Sequence, residues 1–114
     1  MTAEALKGHL DGLLLAVLER GPAHGYALIE ALRAGSGGTF DLPTGTVYPA
    51  LRRLETSGLV ASTWEKGDGR QRRMYELTTA GHRHLARQRQ SWRQFSGAVT
   101  AVMDGGEPAW TPST

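Results

Sequence analysis

The 114-residue chain contains no cysteine. A disulfide framework, a thiolate zinc site and a cysteine nucleophile are therefore excluded. Aromatic residues are sparse at 7%. The longest apolar run, residues 13–18, is far short of the roughly 20 residues that a membrane-spanning helix needs. The opening MTAEALKGHL lacks the basic-then-apolar pattern of a secretory signal. These absences predict a soluble, cytoplasmic protein with no membrane partner. No nucleophile elbow and no placed carboxylate pair is visible, so an enzyme is not expected. His82 and His84 stand two apart, which on a helix points them about 200° apart, so they cannot share one ion. No metal and no cofactor are expected.

What is present is enough for one domain: 39% of the residues are apolar, which supports a modest core. The formal charge is only +2, but it is unevenly spread. Lys66, Arg70, Arg72, Arg73, Arg83, Arg87, Arg89 and Arg93 face only Asp68 and Glu76 over one contiguous quarter of the chain. Such clustering is the electrostatic footprint of a nucleic-acid binder.

The chain is organised around DLPTGTVYPALRRLETSGL, residues 41–59. Pro43 and a capping-type Thr44 open a short helix that stops at Ser57-Gly58. At about 100° per residue, Val47, Ala50, Leu51 and Leu54 share one arc. Gly45, Thr46, Pro49, Arg52 and Arg53 take the opposite arc, with Tyr48 on its flank. One face is core; the other offers small polar groups and then two guanidinium forks, the layout of a helix that sits in a DNA major groove. An amphipathic surface helix, its arginines paired with Glu55 or Glu30, has the same layout.

Before this stretch, Leu6, Leu10, Leu13, Leu14, Val17 and Leu18 predict a first helix over 5–20, buried on more than one side. A second helix is predicted from 23–25 to about 34, with Tyr26, Ile29 and Leu32 inward, followed by a flexible glycine-rich connection at 35–38. After it the period changes to two. Residues 59–66 and 70–77 flank Asp68-Gly69, a strong hairpin signal. With those two as the turn, Trp64 faces Arg73 as a cation–π pair and Glu65 faces Arg72 as an opposite-charge pair, leaving Lys66 and Arg70 at the tip. Thr78-Thr79 then caps a last helix to about 103. In it Leu85, Gln88, Trp92, Phe95, Val99 and Val102 recur at the 3.5-residue period of a coiled-coil seam. That seam predicts a dimerisation arm, against the plainer reading of packing on the first helix alone. The tail, 104–114, is Gly/Pro/Thr-rich and predicted disordered.

Three helices, a basic two-stranded ribbon and a long helix predict a mainly α fold with a small β-hairpin. This is a winged helix-turn-helix over 5–77 with a dimerisation helix over 78–103. The third helix enters the major groove while the wing reaches adjacent backbone or minor groove.

Several separate motifs resemble the PadR family of bacterial transcriptional regulators: LKGHLD at 6–11, GPAHGY at 21–26, GTVYPAL at 45–51 with RLE at 53–55, and RMYELT at 73–78 followed by Ala80-Gly81. The short single C-terminal helix resembles that of the short-tailed subgroup. The resemblance implies a homodimer that binds double-stranded DNA, usually as a repressor, and is released by a small-molecule effector. Carried onto this sequence, the reading helix is 44–55, with Thr44, Thr46, the Tyr48-Pro49 dipeptide, Arg52 and Arg53. The resemblance implies phosphate contacts at His24, Gly25 and Tyr26, where free N–H groups favour an anion. The wing would add Lys66, Arg70 and Arg72. Dimer contacts would come from Leu85, Gln88, Trp92, Phe95, Val99 and Val102 with help from Leu6, Leu10 and Leu14. A flat aromatic effector could stack on Trp92 and Phe95, residues that would otherwise be plain dimer core. Pro49 lacks an N–H, which predicts an irregular start to the reading helix. The leading expectation is a repressor on an inverted-repeat operator, nucleoid-associated when bound. The alternatives are a winged-helix module for protein contact, or one that sequesters a ligand without an operator.

Overall fold

The computed structural model describes residues 8–67 and 69–105. Among them the chain forms α1 (Leu10–Leu18), β1 (Ala23–His24), α2 (Gly25–Gly35), α3 (Thr44–Thr56), β2 (Val60–Gly67), β3 (Arg70–Leu77) and α4 (Thr79–Met103). The strands make one antiparallel sheet in the order β1-β3-β2. This is the expected winged helix. No helix among the described residues is long and apolar enough to cross a membrane.

The core is aliphatic. Leu14 and Leu15 of α1, Leu28 of α2, Val47, Leu51 and Leu54 of α3, Val60 of β2 and Leu85 of α4 are all fully buried. The apolar arc expected for α3 is the arc it buries. In α1 the buried set, Leu10, Leu14, Leu15 and Leu18, covers the widened face that the sequence implied.

Several boundaries and faces differ from expectation. Among the described residues the first helix starts at Leu10, because Gly8 before it sits at φ +93, the left-handed region that interrupts a right-handed helix. Residues 5–7 of the expected helix, Leu6 among them, lie outside the described residues. In α2 Leu32 is buried as expected and Ile29 packs partly buried against the core, but Gly25 and Leu28 complete the inward stripe, while Tyr26 is 67% exposed. Ala23 and His24 are strand rather than helix, paired with Tyr75 and Met74. The connection after α2 is an ordered turn: the Ser36 hydroxyl donates to the Leu32 carbonyl at 2.7 Å and accepts from the Phe40 N–H at 2.8 Å. Pro43, not Thr44, is the N-cap of α3. Pro49 removes the N–H that would bond to the Gly45 carbonyl, yet α3 runs unbroken through it. Gly45 is exposed, so water can take the unused acceptor.

The hairpin register is the one predicted: Trp64 opposite Arg73, Glu65 opposite Arg72, and Gly67 opposite Arg70. Arg73 lies over the Trp64 ring, 5.2 Å from its centroid.

Helix α4 begins as expected. The Thr78 hydroxyl accepts from the Gly81 N–H at 3.0 Å and donates to the Gly58 carbonyl at 2.6 Å. Gly81 lets this first turn press on the α3–β2 junction, since a Cβ there would sit 2.0 Å from the Leu59 carbonyl oxygen. One turn further, Leu85 is buried in the core. Arg89 then makes a two-pronged bond to Glu19 at the end of α1, at 2.7 and 2.9 Å, and this bond holds Glu19 below the usual carboxylate range. Beyond Trp92, which still meets His9, α4 leaves the body. Its 25 residues span about 37 Å, and no Asp or Glu lies between Thr79 and Met103, against four arginines.

Candidate nucleic-acid interface

Helix α3 and the hairpin enclose an open groove of about 890 Å³. Its walls bring together His24, Gly25 and Tyr26 from the start of α2, Tyr48 and Arg52 from α3, and Arg70 and Arg72 from β3. Residues expected to touch DNA from three separate stretches of sequence thus share one concave surface. Thr44 and Thr46 stand on the first turn of α3, where the N–H groups of Thr46 and Val47 are taken by the Pro43 carbonyl at 3.0 and 3.2 Å. The preceding N–H groups, of Thr44 and Gly45, have no intrahelical partner and face solvent with their residues.

The close approach of α2 to α3 rests on Gly25. A Cβ on it would fall 2.5 Å from the Tyr48 hydroxyl and ring, so only glycine lets that phenol lie across the start of α2. Tyr26 completes the contact edge-on, with ring centroids 6.3 Å apart. Burial, then the neighbouring phenols, pushes the Tyr48 hydroxyl above its ordinary range. It stays protonated and able to donate.

The arginines separate into engaged and free ones. Arg53, expected beside Arg52 as a groove contact, ion-pairs with Asp11 of α1 at 2.6 Å and ties α3 to the body. That partner is 42 residues away in sequence, which hides it from periodicity, and it is neither Glu55 nor Glu30. Glu30 instead pairs with Arg33 at 2.5 Å. Arg52 is exposed and has no ion pair among the described residues.

On the hairpin, side chains alternate between faces. By the register, Trp64, Lys66 and Arg73 share one face and Arg70 and Arg72 the other; of these five, all but Lys66 line the groove. The expected Glu65–Arg72 ion pair is not made. Arg72 leans toward β1 instead, placing Nη1 3.4 Å from His24 Nε2. His24 uses Nδ1 to accept the Ala27 N–H at 3.3 Å and cap α2, so a neutral ring carries its proton on Nε2. Two donors then face each other with no acceptor between them. Arg73 is fully engaged, with Glu55, Ser62 and Trp64.

The Glu55 contact was not foreseen. Its carboxylate accepts from Ser62 Oγ at 2.5 Å and pairs with Arg73 at 3.5 Å. The Ser62 hydroxyl first, and the Arg73 charge second, hold it below the usual carboxylate range. The tie is therefore complete at neutral pH and is lost as pH falls through that lowered value.

The second candidate surface is α4. Its predicted seam divides: Leu85 is buried in the chain's own core, as are Leu10 and Leu14, so these three are not free to meet a second copy. Their burial follows from the same heptad face first crossing α1. Gln88 lies over Gly12 and against His84. From Trp92 on the seam is open: Trp92 is 53%, Phe95 61% and Val102 82% exposed, with Val99 between them. Trp92 stands edge-on to His9 at 5.4 Å and tilted against Phe95 at 6.1 Å.

Comparison with known proteins agrees with this arrangement. The profile of the transcriptional regulator PadR-like family matches residues 14–87. The transcriptional regulator Rv3488 of Mycobacterium tuberculosis is 37% identical over 76 residues, which is 67% of this chain and 68% of that protein. A PadR-family transcriptional regulator from Eggerthella lenta superposes with a TM-score of 0.75 at 36% identity, over 88% of this chain and 86% of that one. A PadR-like transcriptional regulator from Bacillus cereus gives 0.79 at 28% identity, over 90% and 99%.

Proposed function

The chain belongs to the PadR-like family of transcriptional regulators, and from that membership we infer that it represses transcription as a homodimer on an inverted-repeat operator. Members of the family are regulators and not enzymes. The observation that carries the reading is the convergence of Arg52, Arg70 and Arg72, all exposed, on the groove beside α3. Arg52 points a fork outward from α3 where guanine edges or phosphates would lie. The wing arginines reach the flanking backbone. The facing donors of His24 and Arg72 suit one phosphate oxygen between them. Arg53 serves as a strut to Asp11 in the unbound chain, and DNA would have to compete with that carboxylate for it.

Two copies pair through the open part of α4, from Trp92 to Val102, which sets the reading helices about one helical turn apart on DNA. A flat aromatic effector that inserts between the Trp92 and Phe95 pairs would alter that spacing and release the operator.

The test is fluorescence anisotropy on the DNA upstream of the protein's own gene, beside a scrambled duplex, across a salt series. Specific binding near 10⁻⁸ M or tighter is expected. Arg52→Ala should weaken it by about 5- to 150-fold, the range of one good base or phosphate fork. Equal weak binding of both duplexes would reject the reading.

A further inference from the structure

We propose that Glu55 and Arg73 are positioning residues that set the wing at a fixed angle to the reading helix, so that both meet one duplex in register; this rests on the DNA-binding reading above. Glu55 is on the last turn of α3, seven residues before Ser62 and eighteen before Arg73 in sequence. Its carboxylate nevertheless joins all three elements: it accepts from Ser62 on β2 and pairs with Arg73 on β3. Arg73 closes the ring by donating to Ser62 Oγ at 2.7 Å and laying its guanidinium over Trp64. Every strong contact of this cluster crosses between the helix and the ribbon, or between the ribbon's two strands.

A two-stranded ribbon is marginal by itself and free to swing. The fully buried part of this one ends near Val60 and Tyr75, so its outer half has no core to hold it. The Glu55–Arg73 tie is the last fixed point before the tip. It also explains an otherwise odd choice, a carboxylate on the surface that faces a polyanion. On charge alone, removing Glu55 should tighten DNA binding. If the carboxylate holds the wing in place, removing its charge weakens binding to the operator, because Arg70 and Arg72 lose their register with Arg52.

The opposite signs make the test decisive. In the full chain, Glu55→Gln keeps the size and the Ser62 acceptor but loses the pairing charge. Operator affinity is expected to fall about tenfold, roughly the effect of 1.4 kcal/mol. Binding to a scrambled duplex should not weaken, since the wing arginines remain free to meet phosphates without register. Arg70→Ala, by contrast, removes a cation and should weaken binding to both duplexes. The charge-reversed double variant, Glu55→Arg with Arg73→Glu, should recover operator affinity relative to either single change. Hydrogen exchange provides a readout without DNA: amides at 63–66 should exchange faster in Glu55→Gln while those of α1 and α2 keep their protection. Equal or tighter operator binding by Glu55→Gln, or no recovery in the double variant, overturns the proposal. If the unmodified protein shows no operator preference, the functional reading fails, and unchanged hairpin exchange in Glu55→Gln would then independently overturn the tie.

Discussion

Phe95→Asp is expected to leave a folded monomer whose operator affinity is lower by about 10²–10⁴-fold, the advantage that linking two half-sites provides. Phe95 is 61% exposed and lies on the same face of α4 as Val99 and Val102, so in a single chain it gains little from being aromatic. In a symmetric pair it is buried twice, once from each copy, and a carboxylate in that position would be desolvated within an apolar seam. Phe95 is the better probe of the interface than Trp92, because Trp92 also rests on His9 of its own chain. Trp92→Ala should still weaken the dimer. Sedimentation velocity at micromolar concentration reads the result directly, with circular dichroism to show that the winged helix persists. Sedimentation equal to that of the unmodified protein would remove the seam as the interface.

The largest effect on stability from a small change is expected at Gly81. Replacing a helical glycine by alanine normally stabilises by about 1 kcal/mol. Here the sign should reverse, with a net loss of about 1–3 kcal/mol, because the new methyl would meet the Leu59 carbonyl oxygen at 2.0 Å. Backbone cannot rotate out of the way as a side chain can. The first turn of α4 would have to lift, straining the Thr78 bond to Gly58 and the burial of Leu85. At about 4–8 °C per kcal/mol for a domain of this size, the melting temperature should fall by several degrees or more. Gly97 is the control. It is in the same helix with nothing within 4 Å of its would-be Cβ, so Gly97→Ala should hold or raise the melting temperature. Equal responses at the two positions would refute the close packing at Gly81.

Much of this architecture is written locally and was legible for that reason. The Asp-Gly pair fixes the hairpin register, and with it the Trp64–Arg73 contact, because a side-chain period of two permits no half-steps. The 25-residue α4 has its cap in Thr78 and its seam at regular spacing. The buried arc of α3 follows from 100° per residue alone. What was missed depends on partners distant in the chain. The two-residue β1 exists because β3 offers it an edge, not because Ala23-His24 favours a strand. Arg53 and Arg52 are equivalent on a helical wheel until Asp11 is placed beside one of them. The Glu55 tie joins three elements, and each of its members reads separately as an ordinary surface polar residue. The seam of α4 was seen as one feature because its period is uninterrupted. Only the position of α1 shows that its first part faces inward to the core and the remainder outward.

If two copies pair through α4, as proposed, its charge sets how the pair responds to ionic strength. The helix carries four arginines and no carboxylate, and among the described residues only Arg89 is neutralised, by Glu19. Pairing two copies therefore brings like charges together, with no interhelical acid to offset them. Added salt screens that repulsion and favours the paired state, while the same salt weakens the grip on phosphates. Oligomerisation and operator occupancy should respond to ionic strength with opposite signs, and occupancy at fixed protein concentration should pass through a maximum at intermediate salt.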